Sequence, residues 1–400
     1  MEDTTFSRRL HQILSEASMN FTVNLGNQIH AASKEDLLET STVENHVFSP
    51  FNLQSALGML LLGAAGETWK QIWINVFPGI GKISNHDTLF PGKYAHEGLQ
   101  AITKKLTSGK NSTFRVGSRL YIQHDYTLLD PFVDNTEKCY SANATNVDFS
   151  SSESTRTEIN NWVKEITMDT IPEIIQRGSL SQATRMVLVN AIYFYGTWKI
   201  PFMKDHTQKG PFRIPPNQVE VEVDMMQQTD SFLTCQPKGI NARVLQMKYT
   251  DDKLSMVFIL PDRDGGMLEV ETAMQNFNLT DCLMSGSVNE IMVKIPKFEI
   301  KTRYDMKKVL TEMGMEDMFT SAADFSRIST EPVLVSEVIH EAFIKVDEEG
   351  SEASAATAIV LNRMNMPSGE FYCDHPFMFM IVENDFGTVL FTGKVSNPTI

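Results

Sequence analysis

The side chains able to attack, transfer protons or hold metals are scattered along this chain rather than gathered into a catalytic pattern. His340-Glu341 opens like H-E-x-x-H, in which two imidazoles one helical turn apart share a zinc ion, but position 344 is Ile. Gly79-Ile-Gly-Lys-Ile-Ser has part of a phosphate-cradling loop, yet Val76 and Ile83 stand where that loop needs Gly and Ser or Thr. No G-x-S-x-G elbow occurs. Cys139, Cys235, Cys282 and Cys373 form no C-x-x-C pair and match no zinc spacing. A chain of 400 residues does not need disulfide staples, so four free, buried thiols are expected, which favours a reducing compartment. The expectation is a non-enzyme with no metal and no cofactor.

His340 has a second reading. It lies on the apolar side of an alternating run: Ser336, Val338, His340, Ala342, Ile344 and Val346 share one parity, and Glu337, Glu341 and Lys345 the other. A buried imidazole needs polar partners, and Asn190 and Ser49 are the natural candidates.

The segment after that run, DEEGSEASAATAIVLNRMNMPSGEFYCDHPF, carries small side chains from Ser351 through Ala358, where a surface loop would favour Asn, Asp, Gly and Pro. Extended, it puts Ser351, Ala353, Ala355, Thr357, Ile359 and Leu361 on one face, all small or apolar. The one charge from Ser351 to Leu361 is Glu352, on the other face, and no proline interrupts the run. Such a segment could join a sheet as a strand although it directly follows one, which makes it a bistable element.

The elements that would position it are legible in outline. Leu10, Ile13, Leu14, Ala17, Phe21 and Leu25 mark an amphipathic helix. Ser49-Pro50 opens a nearly all-apolar helix, which should be buried; Gly66 is expected to end it, with Glu67 starting the next. Ser150, Ser151 and Ser152 could cap a helix carrying Ile159, Trp162, Val163 and Ile166. Gly79 to Gly98 has the composition of a long loop. Met186–Tyr195, apolar but for Asn190, fits a central strand buried on both faces. Leu254–Pro261 and Ile291–Ile300 are further strands, and the apolar runs flanking Glu383–Gly387 signal a hairpin. Helices first and strands later argue for an α+β protein, and no linker or repeat divides residues 1–400.

Composition narrows the partners. Hydrophobic content of 42% and charged content of 21% are those of a soluble globular protein. A net charge of −15 repels phosphate backbones and anionic lipid, and the basic pairs Arg8–Arg9, Lys104–Lys105 and Lys307–Lys308 do not amount to a patch, so no nucleic-acid partner is expected. The longest apolar stretch, Ala56 to Ala65, is about half of what a bilayer span needs. The first 21 residues lack the apolar core of a cleavable signal, whereas sequons at Asn20, Asn111, Asn143 and Asn278 would suit export; such short motifs also arise by chance and decide little.

Several long motifs, in order, resemble the serpins, serine protease inhibitors, and most closely the ovalbumin-like branch without a cleaved signal. NHVFSPFNLQSALGMLLLGAAGET is similar to that family's buried second helix, and VLVNAIYFYGTWKIPF to its central strand. VKIPKFEI followed by YDMKKVLTEMGMEDMF, then ADFSRIS, VSEVIHEAFIKVDEEGSEASAATA and HPFMFMIVENDFGTVLFTGKVSNP complete the set. The resemblance implies one domain with three β-sheets, eight or nine helices and an exposed reactive loop, with hinge and loop over 348–372. It implies a hinge of Glu348, Glu349, Gly350, Ser351, Glu352, Ala353, Ser354, Ala355, Ala356, Thr357 and Ala358 that enters the main sheet after cleavage. It implies that Ser49, Asn190 and His340 govern opening of that sheet, with Asn52 where the family has a second Ser, and that Glu348, Lys297 and Trp198 flank the point of entry. The family's spacing from Gly350 puts the scissile bond at Met364–Asn365, which suits elastase- and chymotrypsin-like proteases; Arg363–Met364 would suit a trypsin-like one. The resemblance thus implies a monomeric suicide inhibitor, exported without a cleavable signal or else cytoplasmic; a non-inhibitory carrier, chaperone or storage protein is the alternative.

Overall fold

The computed structural model describes residues 2–36, 44–79, 92–107, 112–351 and 368–400. Among them are nine α-helices: α1 (Glu2–Asp36), α2 (Pro50–Gly63), α3 (Gly66–Val76), α4 (Lys93–Thr107), α5 (Asp130–Tyr140), α6 (Ser152–Ile166), α7 (Met267–Ala273), α8 (Leu279–Ser285) and α9 (Met306–Glu312). The early strands are β1 (His46–Phe48), β2 (Ser112–Gln123), β3 (Asn143–Val147), β4 (Met186–Thr197), β5 (Gln208–Ile214), β6 (Val219–Cys235), β7 (Ala242–Lys248) and β8 (Leu254–Pro261). The later ones are β9 (Ser287–Pro296), β10 (Phe298–Asp305), β11 (Glu337–Val346), β12 (Gly350–Ser351), β13 (Gly369–Tyr372), β14 (Phe377–Glu383) and β15 (Thr388–Val395).

The strands form two hydrogen-bonded sheets. Six strands run β10-β11-β4-β2-β3, with β12 added on β4; this is the main sheet. Nine run β1-β15-β14-β8-β7-β6-β9-β13, with β5 on β6. The resemblance implies three sheets; two of them are continuous here because β6, 17 residues long, pairs with β5 and β9 along most of its length and with β7 at its end.

The α+β expectation holds, with local corrections. α2 starts where Ser49 accepts the N–H of Asn52 and Pro50 occupies the first turn, and 13 of its residues are buried. It ends at Gly63 rather than Gly66, because Gly66, with φ +54°, begins α3. Lys93–Gly98, expected in a loop, belongs to α4, whose Ala95, His96, Leu99, Ile102 and Leu106 are buried at helical spacing. Ser150–Ser152 do not cap α6; Asp148 does the local work, accepting the N–H of Ser150, and Ser151 makes no side-chain cap bond. The run Ile291–Ile300 is split at Lys297 into β9 and β10, which belong to different sheets.

The cysteine expectation is corrected too. Cys235 at the end of β6 and Cys282 in α8 form a disulfide, since the contact of α8 with β6 brings their Cα atoms to 5.9 Å. Cys139 and Cys373 are free and buried, as expected.

β4 is the middle strand of the main sheet, buried on both faces. Met186, Leu188, Ile192 and Phe194 pack into the main core with α2 and β15, whereas Val187, Val189 and Ala191 join Ile159 and Val163 of α6 and Ile171, Ile174 and Ile175 behind it. This second layer explains Glu341. Its parity points away from the main core, but that face is covered, so it is 1% exposed and paired with Lys301 at 3.0 Å. Burial pushes its carboxyl up, against the opposing pull of Lys301.

Candidate functional site: an open seam in the main sheet

β11 and β4 lie parallel and in register from Glu337↔Val187 to Ala342↔Ile192. The pairing stops there. The rest of β11 runs to Val346, and the far end of β4, paired with β2 on its other edge, is met on this side by β12, antiparallel, with Gly350↔Thr197 and Ser351↔Gly196. The chain leaving β11 has therefore reversed and started back down β4. The main sheet holds a seam whose upper end already contains the first two residues of a new strand.

Close packing defines that entry. The chain can pass only because residue 350 is glycine: its φ is +149°, and a Cβ there would stand 2.0 Å from the carbonyl oxygen of Gly196. Ser351 is 1% exposed, with its Oγ 2.8 Å from the hydroxyl of Tyr249. Tyr249 stacks on Trp198 at 4.8 Å and meets Phe194 edge-on at 5.0 Å. Burial pushes the Tyr249 phenol above its ordinary range, so it stays a neutral hydrogen-bonding partner.

The residues expected around the entry are brought together. Trp198 donates its indole N–H to the carbonyl of Asp347 at 3.0 Å and its backbone N–H to Glu349 at 2.8 Å. Glu348 accepts from Lys297 at 3.0 Å and from Thr207 at 2.8 Å, while Glu349 pairs with Lys204 at 2.7 Å. Burial alone would push the Glu348 carboxyl up, but bonds from its own backbone N–H, Thr207 and Lys297 outweigh it and hold the carboxyl below its usual value.

Lower in the seam, the second expected cluster is assembled and fully buried. His340 and Asn190 are register partners across β11 and β4. His340 Nε2 accepts the backbone N–H of Ser49 at 2.9 Å, so its proton is on Nδ1, which donates to Asn190 Oδ1 at 2.7 Å. Burial lowers the imidazole to about 3 and keeps it neutral. The Asn190 amide donates to the Asn52 carbonyl and to Ser118 Oγ, each at 2.9 Å, and Ser49 Oγ donates to Leu390 O at 2.6 Å. Asn52, in place of a serine, enters through its backbone carbonyl and through Oδ1, which accepts from Ser118 at 3.3 Å. Its Nδ2 has no hydrogen-bond partner among the described residues.

Sequence reasoning missed Ser118, Tyr249, Thr207, Lys204 and Asp347. Ser118 had one weak signal, a hydroxyl within an otherwise strand-like stretch. The remaining loop residues singled out in the sequence, Glu352, Ala353, Ser354, Ala355, Ala356, Thr357, Ala358, Arg363, Met364 and Asn365, lie outside the described residues. Among the described residues, one trio could in principle hold a metal: Asp264, Asp374 and His375. The Arg213 guanidinium already lies against it, ion-paired with Asp264 at 2.9 Å and hydrogen-bonded to Asp374.

Comparison with known proteins agrees with this geometry. The family model described as Serpin (serine protease inhibitor) matches residues 16–398. The leukocyte elastase inhibitor of Sus scrofa is 35% identical over 395 residues, covering 96% of this chain and 99% of the relative. The crystal structure of human thyroxine-binding globulin complexed with thyroxine superposes with a TM-score of 0.86 at 28% identity, covering 97% of this chain and 99% of the other. That of uncleaved ovalbumin gives 0.83 at 28% identity, covering 96% and 99%. A match over nearly the whole length, on a fold whose main sheet carries a part-filled seam, establishes that the chain belongs to the serpin (serine protease inhibitor) family.

Proposed function

We propose that this chain is an irreversible inhibitor of elastase- or chymotrypsin-like serine proteases, acting by insertion of its own cleaved loop into the seam between β11 and β4. The observation that carries the reading is the register Gly350↔Thr197, Ser351↔Gly196. Continued without a slip, it brings Ser351, Ala353, Ala355, Thr357, Ile359 and Leu361 opposite Gly196, Phe194, Ile192, Asn190, Leu188 and Met186. Phe194, Ile192, Leu188 and Met186 face the main core, so the small, apolar parity of the loop matches the buried parity of the strand it would join.

The chemistry starts on the protease. Its serine attacks the carbonyl carbon of Met364, the bond to Asn365 breaks, and the proton passes to the departing amine of Asn365, leaving an acyl-enzyme. The freed segment then propagates down the seam. Thr357 arrives opposite Asn190, where the His340–Asn190 bond now closes the sheet, so that bond must open. Each ladder bond gained contributes about 1 kcal/mol net, and burying Ile359 and Leu361 adds roughly 1.5–3 kcal/mol each. About ten such bonds make the drive of order 10 kcal/mol. Trapping is a race between this insertion and hydrolysis of the acyl-enzyme.

The target class rests on Met364, an unbranched apolar side chain, and on the similarity to the leukocyte elastase inhibitor of Sus scrofa. Cleavage at Arg363–Met364 would point to a trypsin-like protease instead. Incubation with elastase, chymotrypsin and trypsin, followed by denaturing gels and mass spectrometry of the released peptide, tests both. A complex stable to denaturant and a new N-terminus at Asn365 are expected; turnover without complex would overturn the reading.

The protein acts as a monomer in this scheme, outside the cell. The Cys235–Cys282 disulfide supports an oxidising compartment. Recovery of the disulfide-bonded chain from culture medium of the producing cells tests that, and exclusively thiol-form intracellular protein would contradict it.

A further inference from the structure

We infer that Asp347 is the positioning residue on which insertion pivots. This rests on the insertion reading above, in which the chain must reverse between β11 and the new strand. Three residues, 347–349, make that reversal, and their polar groups are almost entirely accounted for. Asp347 Oδ1 accepts the N–H of Glu349 at 3.0 Å and that of Gly350 at 3.3 Å. The Asp347 N–H donates to the Gly350 carbonyl at 2.9 Å, closing the turn on itself. Outside the turn, the Asp347, Glu348 and Glu349 carbonyls accept from Trp198 Nε1, Phe202 N and Trp198 N at 3.0, 2.8 and 2.8 Å. Asp347 is 8% exposed, and its Oδ1 is committed to this turn.

The consequence is kinetic. Reversing a chain is the costly nucleating step of any added strand, and adding further ladder bonds is easier. Here the reversal is complete before any protease arrives. Removing the carboxylate leaves two N–H groups without their acceptor, and the turn opens in most resting molecules. Insertion then slows in proportion to the fraction still turned, on the order of tenfold if a tenth remain so. The inserted form is affected far less, because the full ladder on both sides holds the turn closed.

The test compares Asp347→Ala with Asp347→Asn, which keeps the Oδ1 acceptor without the charge. Three quantities are measured on the full chain: stoichiometry of inhibition against pancreatic elastase, amide hydrogen exchange at Glu349 and Gly350, and the rise in melting temperature on loop cleavage. Asp347→Ala is expected to raise the stoichiometry several-fold and to expose both amides, with the rise in melting temperature kept; Asp347→Asn is expected to behave as wild type. Wild-type stoichiometry in Asp347→Ala, or equal damage from both substitutions, would overturn the assignment. A wild type that forms no complex would refute the insertion reading itself. Even then the exchange measurement judges the turn on its own, because fast exchange of both amides in the wild type would refute it.

Discussion

Replacing Ser351 by arginine tests the seam at the last described residue of the hinge. Ser351 is buried, lies opposite Gly196, and has the Tyr249 hydroxyl 2.8 Å from its Oγ. Little space remains for a longer side chain, because the Tyr249 ring that Ser351 touches is itself packed against Trp198 and Phe194. The hinge of Ser351→Arg must therefore leave the sheet, and re-entry requires stripping water from a guanidinium and fitting it where a serine is buried. A barrier of about 3 kcal/mol or more follows, which slows insertion by roughly a hundredfold. Hydrolysis of the acyl-enzyme is untouched by the substitution, so it wins the race. Titrating a fixed amount of elastase with the variant should show cleaved loop accumulating with little or no complex on a denaturing gel, while the resting protein remains folded. Complex formed at unchanged stoichiometry would refute the whole chain of reasoning from burial to insertion.

Other outcomes follow from the same structure. His340 is held neutral at about 3, below its ordinary value of 6.5. The unfolded chain therefore binds a proton there that the folded chain does not, so stability is full above pH 6.5 and falls by up to several kcal/mol toward pH 3. Thermal unfolding across that window should show the decline, and His340→Gln should reduce it, leaving the part contributed by His46, which burial and the nearby Lys394 likewise lower to about 3. Tyr249→Phe removes one buried hydrogen bond from Ser351, a loss of about 1 kcal/mol; limited proteolysis should find the hinge more readily cut, with complex formation largely kept. Reducing Cys235–Cys282 releases a link spanning 47 residues, worth about 4 kcal/mol by chain entropy. Melting temperature should fall while inhibition persists, because α8 is no part of the seam; loss of inhibition in still-folded reduced protein would contradict that separation.

How far the sequence could be read depends on whether a residue's role is local. His340 was legible because an imidazole on an apolar strand face must find partners, and Ser49 and Asn190 were the polar residues interrupting the two most apolar segments nearby. The hinge was legible because small residues at alternate positions are a property of the chain itself. Ser118 was not, since its place beside Asn190 follows from the β2–β4 register, Ser118↔Asn190. Cys235 and Cys282 looked unpaired because only the packing of α8 on β6 brings them together. Glu341 falls on the polar parity of its strand, and its burial comes from a layer supplied by α6 and the residues behind it. Asp347 read as one member of an acidic run, and its role appears only once the chain is seen to turn.

Thermal unfolding before and after a single cut in the loop probes the stored energy most directly. If the chain relaxes by taking its own segment between β11 and β4, the cut protein should melt many degrees higher than the intact one, and the His340–Asn190 pair should be separated in its structure. An unchanged melting temperature, with that pair still bonded, would mean that the seam never fills and that the molecule shares the fold of an inhibitor without its mechanism.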